Sequence, residues 1–478
     1  MHLPATRLLL ILAFAASLLL AAPRPTSAQG VEPATLARIR DTAMSDDWAW
    51  RQLETLTDTI GPRLSGSPGH AAAVTQVAEA MRALGADVTL QPVKVPHWVR
   101  GQETGEIVGY PGQPAAVTQR LHLTALGGSG ATAADGLTAR VVVVTSFEEL
   151  EARAAEVRGS FVLFDVRFDQ ALAQGGRAGD AYGQASPFRF RGPAAAAALG
   201  AVGALVRSVG GAEYRLPHTG ATNFPEGTRP IPAAALAAED ASLVARLAAR
   251  GPVTLKLTLT PQTLPDADSF NVIADWRGRE KPDEIVIVSG HLDSWDLGTG
   301  AIDDGSGVYA TAAVIRVLET LDLRPRRTIR FIAWANEENG TRGAREYRRS
   351  VEKTLSKHAA VIESDAGIGR TLGITATIPF ESLDALRPVR EALRPIGAAA
   401  LQRRDDDVGS DVSFLQTAGV PGFAPISDTR DYFDYHHTAA DTLDKVKPEN
   451  LRMQAATNAV LAYFLAEMPE MLPRHAAR

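Results

Sequence analysis

The second half of the sequence repeats one arrangement: a short apolar β-run, a turn carrying histidine or carboxylates, then a helical segment. Residues 271–276 and the apolar run 284–289 read as strands. Residues 305–321 read as a helix, with Val308, Ala312, Val314, Ile315 and Leu318 on its inner side. Strand 328–334, helix 343–357 and strand 359–363 follow, and a helix over 448–468 packs Leu451, Ala455, Val460 and Phe464. Buried strands alternating with helices constrain the fold to the α/β class, a sheet covered on both faces.

The segments before it differ. Residues 31–81 are helical in pattern, with Trp50, Leu53, Leu56 and Ile60 at helical spacing. The turn-rich stretch 61–69 interrupts them, helix 70–84 ends at Gly85, and 88–95 alternates as a strand. Between about 106 and 259 charge thins, glycine and alanine rise, and β-runs fall at 139–145, 160–165 and 253–258. This predicts a smaller α+β unit whose two histidines, His122 and His218, stand isolated as structural or surface residues.

Cysteine is absent from all 478 residues, which excludes disulfides, thiol nucleophiles and iron–sulfur clusters. Any metal must be held by His, Asp and Glu. The 49 basic and 55 acidic residues form no long basic run, so nucleic-acid binding finds no footing. Residues 1–28 read as a secretory signal: Arg7 precedes an apolar stretch from Leu8 to Ala22, and small residues precede a cleavage after Ala28. That stretch falls short of the roughly 20 residues of a membrane span. A retained anchor is the alternative. Cleavage removes Arg7 and Arg24 and takes the charge from −6 to −8. A secreted or periplasmic protein without disulfides suits a bacterial compartment.

The acids and histidines after Gly290 cluster just past the strand ends, the edge where open α/β sheets bind ligands. His291 and Asp293 follow strand 284–289, and Asp303 and Asp304 open the next helix. Glu337 and Glu338 follow strand 328–334, Asp365 follows strand 359–363, and His436 and His437 lie in a later loop. So many carboxylates at one edge repel unless a cation lies among them. The donor set suits zinc, with manganese or cobalt as alternatives. It is too large for one ion and about right for two sharing a carboxylate. Adjacent residues at a strand end point apart, so one of Glu337 and Glu338 can bind metal while the other acts as general base. Only one of His436 and His437 need be a ligand.

These motifs resemble the zinc peptidases of family M28: His291-x-Asp293, Asp303-Asp304-Gly-Ser-Gly, Asn336-Glu337-Glu338, Glu363-Ser-Asp365 and His436-His437-Thr-x-x-Asp441-Thr. The likeness spans nearly the whole chain after the leader, and its branch is that of dipeptidase-like carboxypeptidases. It implies a mixed twisted sheet covered by helices. It also implies a catalytic domain in two parts, 29–105 and 263–478, around an inserted protease-associated (PA) domain at 106–262. Two zinc ions per chain are implied, with His291 and Asp365 on one, Glu338 and His437 on the other, and Asp303 bridging. Glu337 would take a proton from the attacking water and return it to the leaving amine. Asp293 would hydrogen-bond His291 and fix its tautomer, and Asp441 would order the His437 loop. Ser410-Asp411 resembles a substrate-side pair of the family, although Val412 departs from the aromatic or histidine that often follows.

The implied activity is hydrolysis of dipeptides or short peptides, with a broader aminopeptidase as alternative. A homodimer is implied by resemblance alone. M20-type deacylases use a similar ligand order, but their extra domain interrupts the catalytic half after the metal pair has begun; here the insert precedes His291. An inactive, receptor-like relative would have lost ligands, and all are present. No Gly-x-Ser-x-Gly or His-Glu-x-x-His occurs.

Overall fold

The computed structural model describes residues 31–475. The expected leader, residues 1–28, lies outside them. Among the described residues no helix is long and apolar enough to cross a membrane.

The first of two eight-stranded sheets carries the alternating half of the sequence. Its strands run in the order Asp87–Val99, Gln262–Trp276, Arg327–Trp334, Lys281–His291, His358–Glu363, Gly422–Ser427, Thr371–Thr377 and Ala400–Arg403. The central strands pair in parallel, whereas Asp87–Val99 and Gln262–Trp276 form an antiparallel ribbon along one side. The sheet is therefore mixed, and helices cover both its faces. One face packs against Ser306–Thr320 and Pro448–Glu467, the other against Arg342–Ser350.

Both long helices are more enclosed than a single apolar stripe predicts. From Ser306 to Leu318 every residue but Arg316 is buried. Pro448–Glu467 is buried from Met453 to Ala466. The reason is layering: the two helices pack on each other and on the sheet, and Pro33–Ser45 and Trp48–Thr55 cover them from outside. The expected helix over 343–357 is shorter, with α-helix at Arg342–Ser350 and 3₁₀ turns at Glu352–Lys357. The expected strand 271–276 begins earlier, at Gln262.

The second sheet uses strands from Glu103–Gly109 through Thr254–Leu259. Its central strands, including Phe161–Phe164 and Gly203–Arg207, pair in parallel, and two apolar clusters fill its faces. The chain leaves the first sheet at Val99 and returns at Gln262, and these two residues are register partners. A long excursion that begins and ends at one point leaves the host sheet's pairing intact.

Candidate metal centre

Each predicted site residue sits at the C-terminal edge of the parallel strands. His291 ends its own strand. Glu337 and Glu338 follow Arg327–Trp334, Asp365 follows His358–Glu363, and His436 and His437 follow the short helix Tyr432–Tyr435. Asp303 lies in the turn before Ser306–Thr320, and its peptide bond to Asp304 is cis. Gly307 lets this helix press against the segment that follows His358–Glu363, since a Cβ there would lie 1.9 Å from the Ser364 carbonyl.

Three groups of donors form among the described residues: His218, His436 and His437 make one, and the other two share Asp303. His291 Nε2 is 3.1 Å from Asp303 Oδ1 and 3.6 Å from Asp365 Oδ1. His437 Nε2 is 3.1 Å from Asp303 Oδ2 and 3.0 Å from Glu338 Oε2. Within each trio the donor atoms lie within 4.8 Å of one another. The buried oxygens Asp303 Oδ2 and Glu338 Oε1 have no hydrogen-bond donor, which leaves lone pairs for a cation. A buried set of imidazole and carboxylate donors with spare lone pairs fits divalent metal.

The electrostatics agree with this. Burial opposes ionisation of Asp303, but His436, His291 and His437 outweigh it and hold the carboxyl well below its usual range. Burial raises Glu338 and Asp365. Glu337, buried among Asp365, Glu338 and Asp293 and only partly offset by His291, is pushed up to about 8. Glu337 and Glu338 both line a cavity of about 730 Å³ together with His291, Asp365 and His437.

Supporting contacts refine the expectations. His291 Nδ1 meets the main-chain carbonyl of Asp293 at 2.9 Å, and not its carboxylate. That carboxylate accepts instead from Glu337 N at 3.0 Å and Ser65 Oγ at 2.9 Å. Asp441 accepts from Ile302 N at 2.7 Å and Asp303 N at 3.3 Å, so its side chain orders the Asp303 turn, while its own N–H donates to the Thr438 carbonyl at 3.2 Å within the His437 loop. His218 is not isolated: its Nε2 lies 3.1 Å from His436 Nδ1, and its ring sits 5.2 Å from both histidines of the pair. His122 is paired with Asp240, away from the site.

His436 stacks on His437 with ring centroids 3.6 Å apart, and its Nε2 is 3.3 Å from Asp303 Oδ2. Only His437 also reaches Glu338, and it does so from a left-handed backbone with φ of 58°. Such a conformation in a non-glycine residue costs on the order of 1 kcal/mol and clusters at functional sites. Ser410 lines the cavity, and Asp411 is buried behind it with no hydrogen-bond donor to its oxygens.

Other contributors were given no role from the sequence. Arg63, in the 61–69 loop, donates to the carbonyls of Leu292, Thr299 and Gly300 and so ties that loop to the metal edge. Tyr182 and Arg189, from helix Ala178–Phe190, line the cavity beside the histidine pair. No local motif marks them; a helix within the thinly charged middle segment supplies them across the fold.

Comparisons with known proteins agree with this architecture. The sequence profile of peptidase family M28 matches residues 271–462. Human carboxypeptidase Q is 36% identical over 428 residues, covering 89% of this chain and 87% of the human protein. The rat protein is 37% identical over the same shares. The crystal structure of the M28 peptidase precursor of Shewanella amazonensis superposes with a TM-score of 0.86 at 37% identity, covering 92% of this chain and 98% of that one. A zinc aminopeptidase from Bacillus subtilis shares the fold at 22% identity, with a TM-score of 0.62. A single family accounts for the profile match, the full-length relatives and the shared fold: this chain belongs to peptidase family M28, and it is a hydrolase related to carboxypeptidase Q.

Proposed function

We propose that the chain is an exported dinuclear zinc exopeptidase that hydrolyses dipeptides or short peptides. The observation that carries this reading is the sharing of Asp303, with one oxygen toward His291 and the other toward His437. His291 and Asp365 would hold one ion, Glu338 and His437 the other, and Asp303 would serve both. Bound zinc would supply Lewis acidity, polarising the scissile carbonyl and acidifying a water.

Glu337 is the proposed general base. Its carboxyl, pushed toward neutrality by burial, can both accept and release a proton at working pH. Its backbone N–H is anchored by Asp293, which holds the carboxylate beside the metal donors while it takes the water's proton and gives it to the amine nitrogen. The 61–69 loop, clamped by Arg63, supports the turn that presents Asp303. Residues 106–262 are proposed as an inserted PA-type unit, a reading favoured by the pairing of Val99 with Gln262 at its two ends. Residues 1–28 are proposed as the export signal from their composition.

A substrate panel tests the reading. Zinc-loaded enzyme should cleave free dipeptides faster than N-blocked dipeptides or longer peptides. Cleavage confined to N-blocked substrates would replace the dipeptidase reading with a deacylase. Preference for long peptides with a free N-terminus would favour a general aminopeptidase.

A further inference from the structure

We propose that His218 is a positioning residue: it fixes the tautomer of His436, which keeps His436 off the metals and leaves His437 as the one ligand of the pair. This rests on the dinuclear reading above.

His218 comes from the middle segment and is wholly buried. Its backbone is fixed from that side. Its N–H donates to Ser208 Oγ at 2.9 Å, and this hydroxyl donates to the Leu236 carbonyl at 2.7 Å. The next residue, Thr219, donates its N–H to the His437 carbonyl at 2.9 Å. The imidazole packs closely on Gly210, where a Cβ would lie 2.8 Å from His218 Cδ2. The ring is thus held across from the histidine pair, with Nε2 3.1 Å from His436 Nδ1.

A hydrogen bond between two ring nitrogens needs an N–H on one and a lone pair on the other. His218 Nδ1 is buried and has no hydrogen-bond partner among the described residues. If His436 donated, the N–H of His218 would sit on that nitrogen without an acceptor, and a stranded buried donor is costly. His218 therefore donates from Nε2, and His436 Nδ1 accepts. His436 then carries its own proton on Nε2, the nitrogen that lies 3.3 Å from Asp303 Oδ2. A protonated ring nitrogen has no lone pair for a metal. His436 shows the metal edge an N–H, and His437 supplies the lone pair beside Glu338.

The three histidines do not suit a third ion, although one nitrogen of each lies within 4.8 Å of the others. A ligating imidazole holds the ion in its own plane. The rings of His436 and His437 are stacked 3.6 Å apart and within 14° of parallel, so their lone pairs do not converge on one point. Arg189 Nη1, 3.5 Å from His437 Nδ1, adds a positive charge there.

The test reads the tautomer by nitrogen NMR of the full chain labelled at histidine, metal-free and zinc-loaded. The His436 signals are those lost in His436→Gln. Wild type should carry a proton on His436 Nε2 and none on Nδ1 in both forms. His218→Leu fills the space without a donor and should move that proton partly or wholly to Nδ1. His218→Gln keeps an N–H donor and should hold it on Nε2. Zinc titration gives the second readout. With His218 removed, His436 is free to offer a lone pair, so His218→Leu combined with His437→Ala should bind the second ion about 10-fold more tightly than His437→Ala alone. A merely structural role for His218 predicts the opposite, a double variant weaker than the single one. Melting temperatures establish that each variant is folded. A proton on Nδ1 of wild-type His436 overturns the proposal without any variant. So does an unchanged tautomer in His218→Leu, a His218→Gln spectrum like that of His218→Leu, or a double variant that binds zinc no better than His437→Ala. If wild type binds fewer than two zinc ions, the dinuclear reading fails, and the metal-free spectra still decide the role of His218.

Discussion

The main-chain carbonyl of Asp293 lies 2.9 Å from Nδ1 of His291, while the Asp293 carboxylate stands 4.0 Å away. The backbone thus sets the histidine's tautomer and turns Nε2 toward Asp303 and Asp365. The side chain is left free to hold the main chain of Glu337 and the hydroxyl of Ser65. One residue therefore supports both the ligand and the proposed base, through different atoms.

Asp293→Ala should separate these two duties. The carbonyl remains, so zinc affinity should fall less than turnover does. The part-buried Glu337 N–H loses its acceptor, which costs about 1 kcal/mol of stability. We expect a lower melting temperature and a kcat reduced by about 10- to 100-fold. Equal losses of zinc affinity and kcat would return the carboxylate to a role at the metal.

Glu337→Gln keeps the shape of the site and removes the base. Two zinc ions per chain should remain bound, and kcat should fall by roughly 10²- to 10⁴-fold. Parallel metal analysis and steady-state kinetics measure both. Near-normal turnover with full zinc content would exclude Glu337 as the proton carrier.

Metal stoichiometry checks the shared carboxylate. Asp303→Ala should impair both ions together, because both carboxylate-containing donor trios include this residue. Glu338→Ala or Asp365→Ala should weaken one ion more than the other. Titration of metal-free protein with zinc, followed by calorimetry, distinguishes a two-ion loss from a one-ion loss. His436→Ala should lower affinity less than His437→Ala, since only His437 reaches Glu338.

His358 gives a pH dependence remote from the metal edge. Burial, reinforced by Arg330, pushes its imidazole down to about 4, and it pairs with Tyr347 Oη at 2.9 Å. The unfolded chain takes up this proton near pH 6.5, whereas the native state resists it until about 4. Stability contributed by this group is therefore full above pH 6.5 and is lost as pH falls through that window. His358→Gln should be less stable than wild type at pH 7. The gap should narrow toward pH 4.5, by up to roughly 3 kcal/mol over the whole window. Thermal melts of both proteins at the two pH values check it; a constant gap would mean that His358 titrates normally.

What the sequence determined by itself is the set of central strands and the identity of the donors. Apolar runs such as 284–289 and 328–334 are continuous because both faces of the sheet are covered, and the polar residues that end them mark the ligand edge. Three outer strands, Thr371–Thr377, Ala400–Arg403 and Gly422–Ser427, were not legible. They are short or interrupted by Gly373 and Pro425, so no periodic signal rises above the surrounding turns. Only the tertiary structure decided which atom of Asp293 meets His291, which turn Asp441 anchors, and which histidine reaches Glu338. Such choices depend on rotamer and backbone direction, which spacing along the chain does not encode. The tertiary structure alone also brought Tyr182, Arg189 and His218 from the middle segment to the histidine pair. Residues more than 200 positions apart are joined there by packing between two sheets, and no local pattern of either segment records the meeting.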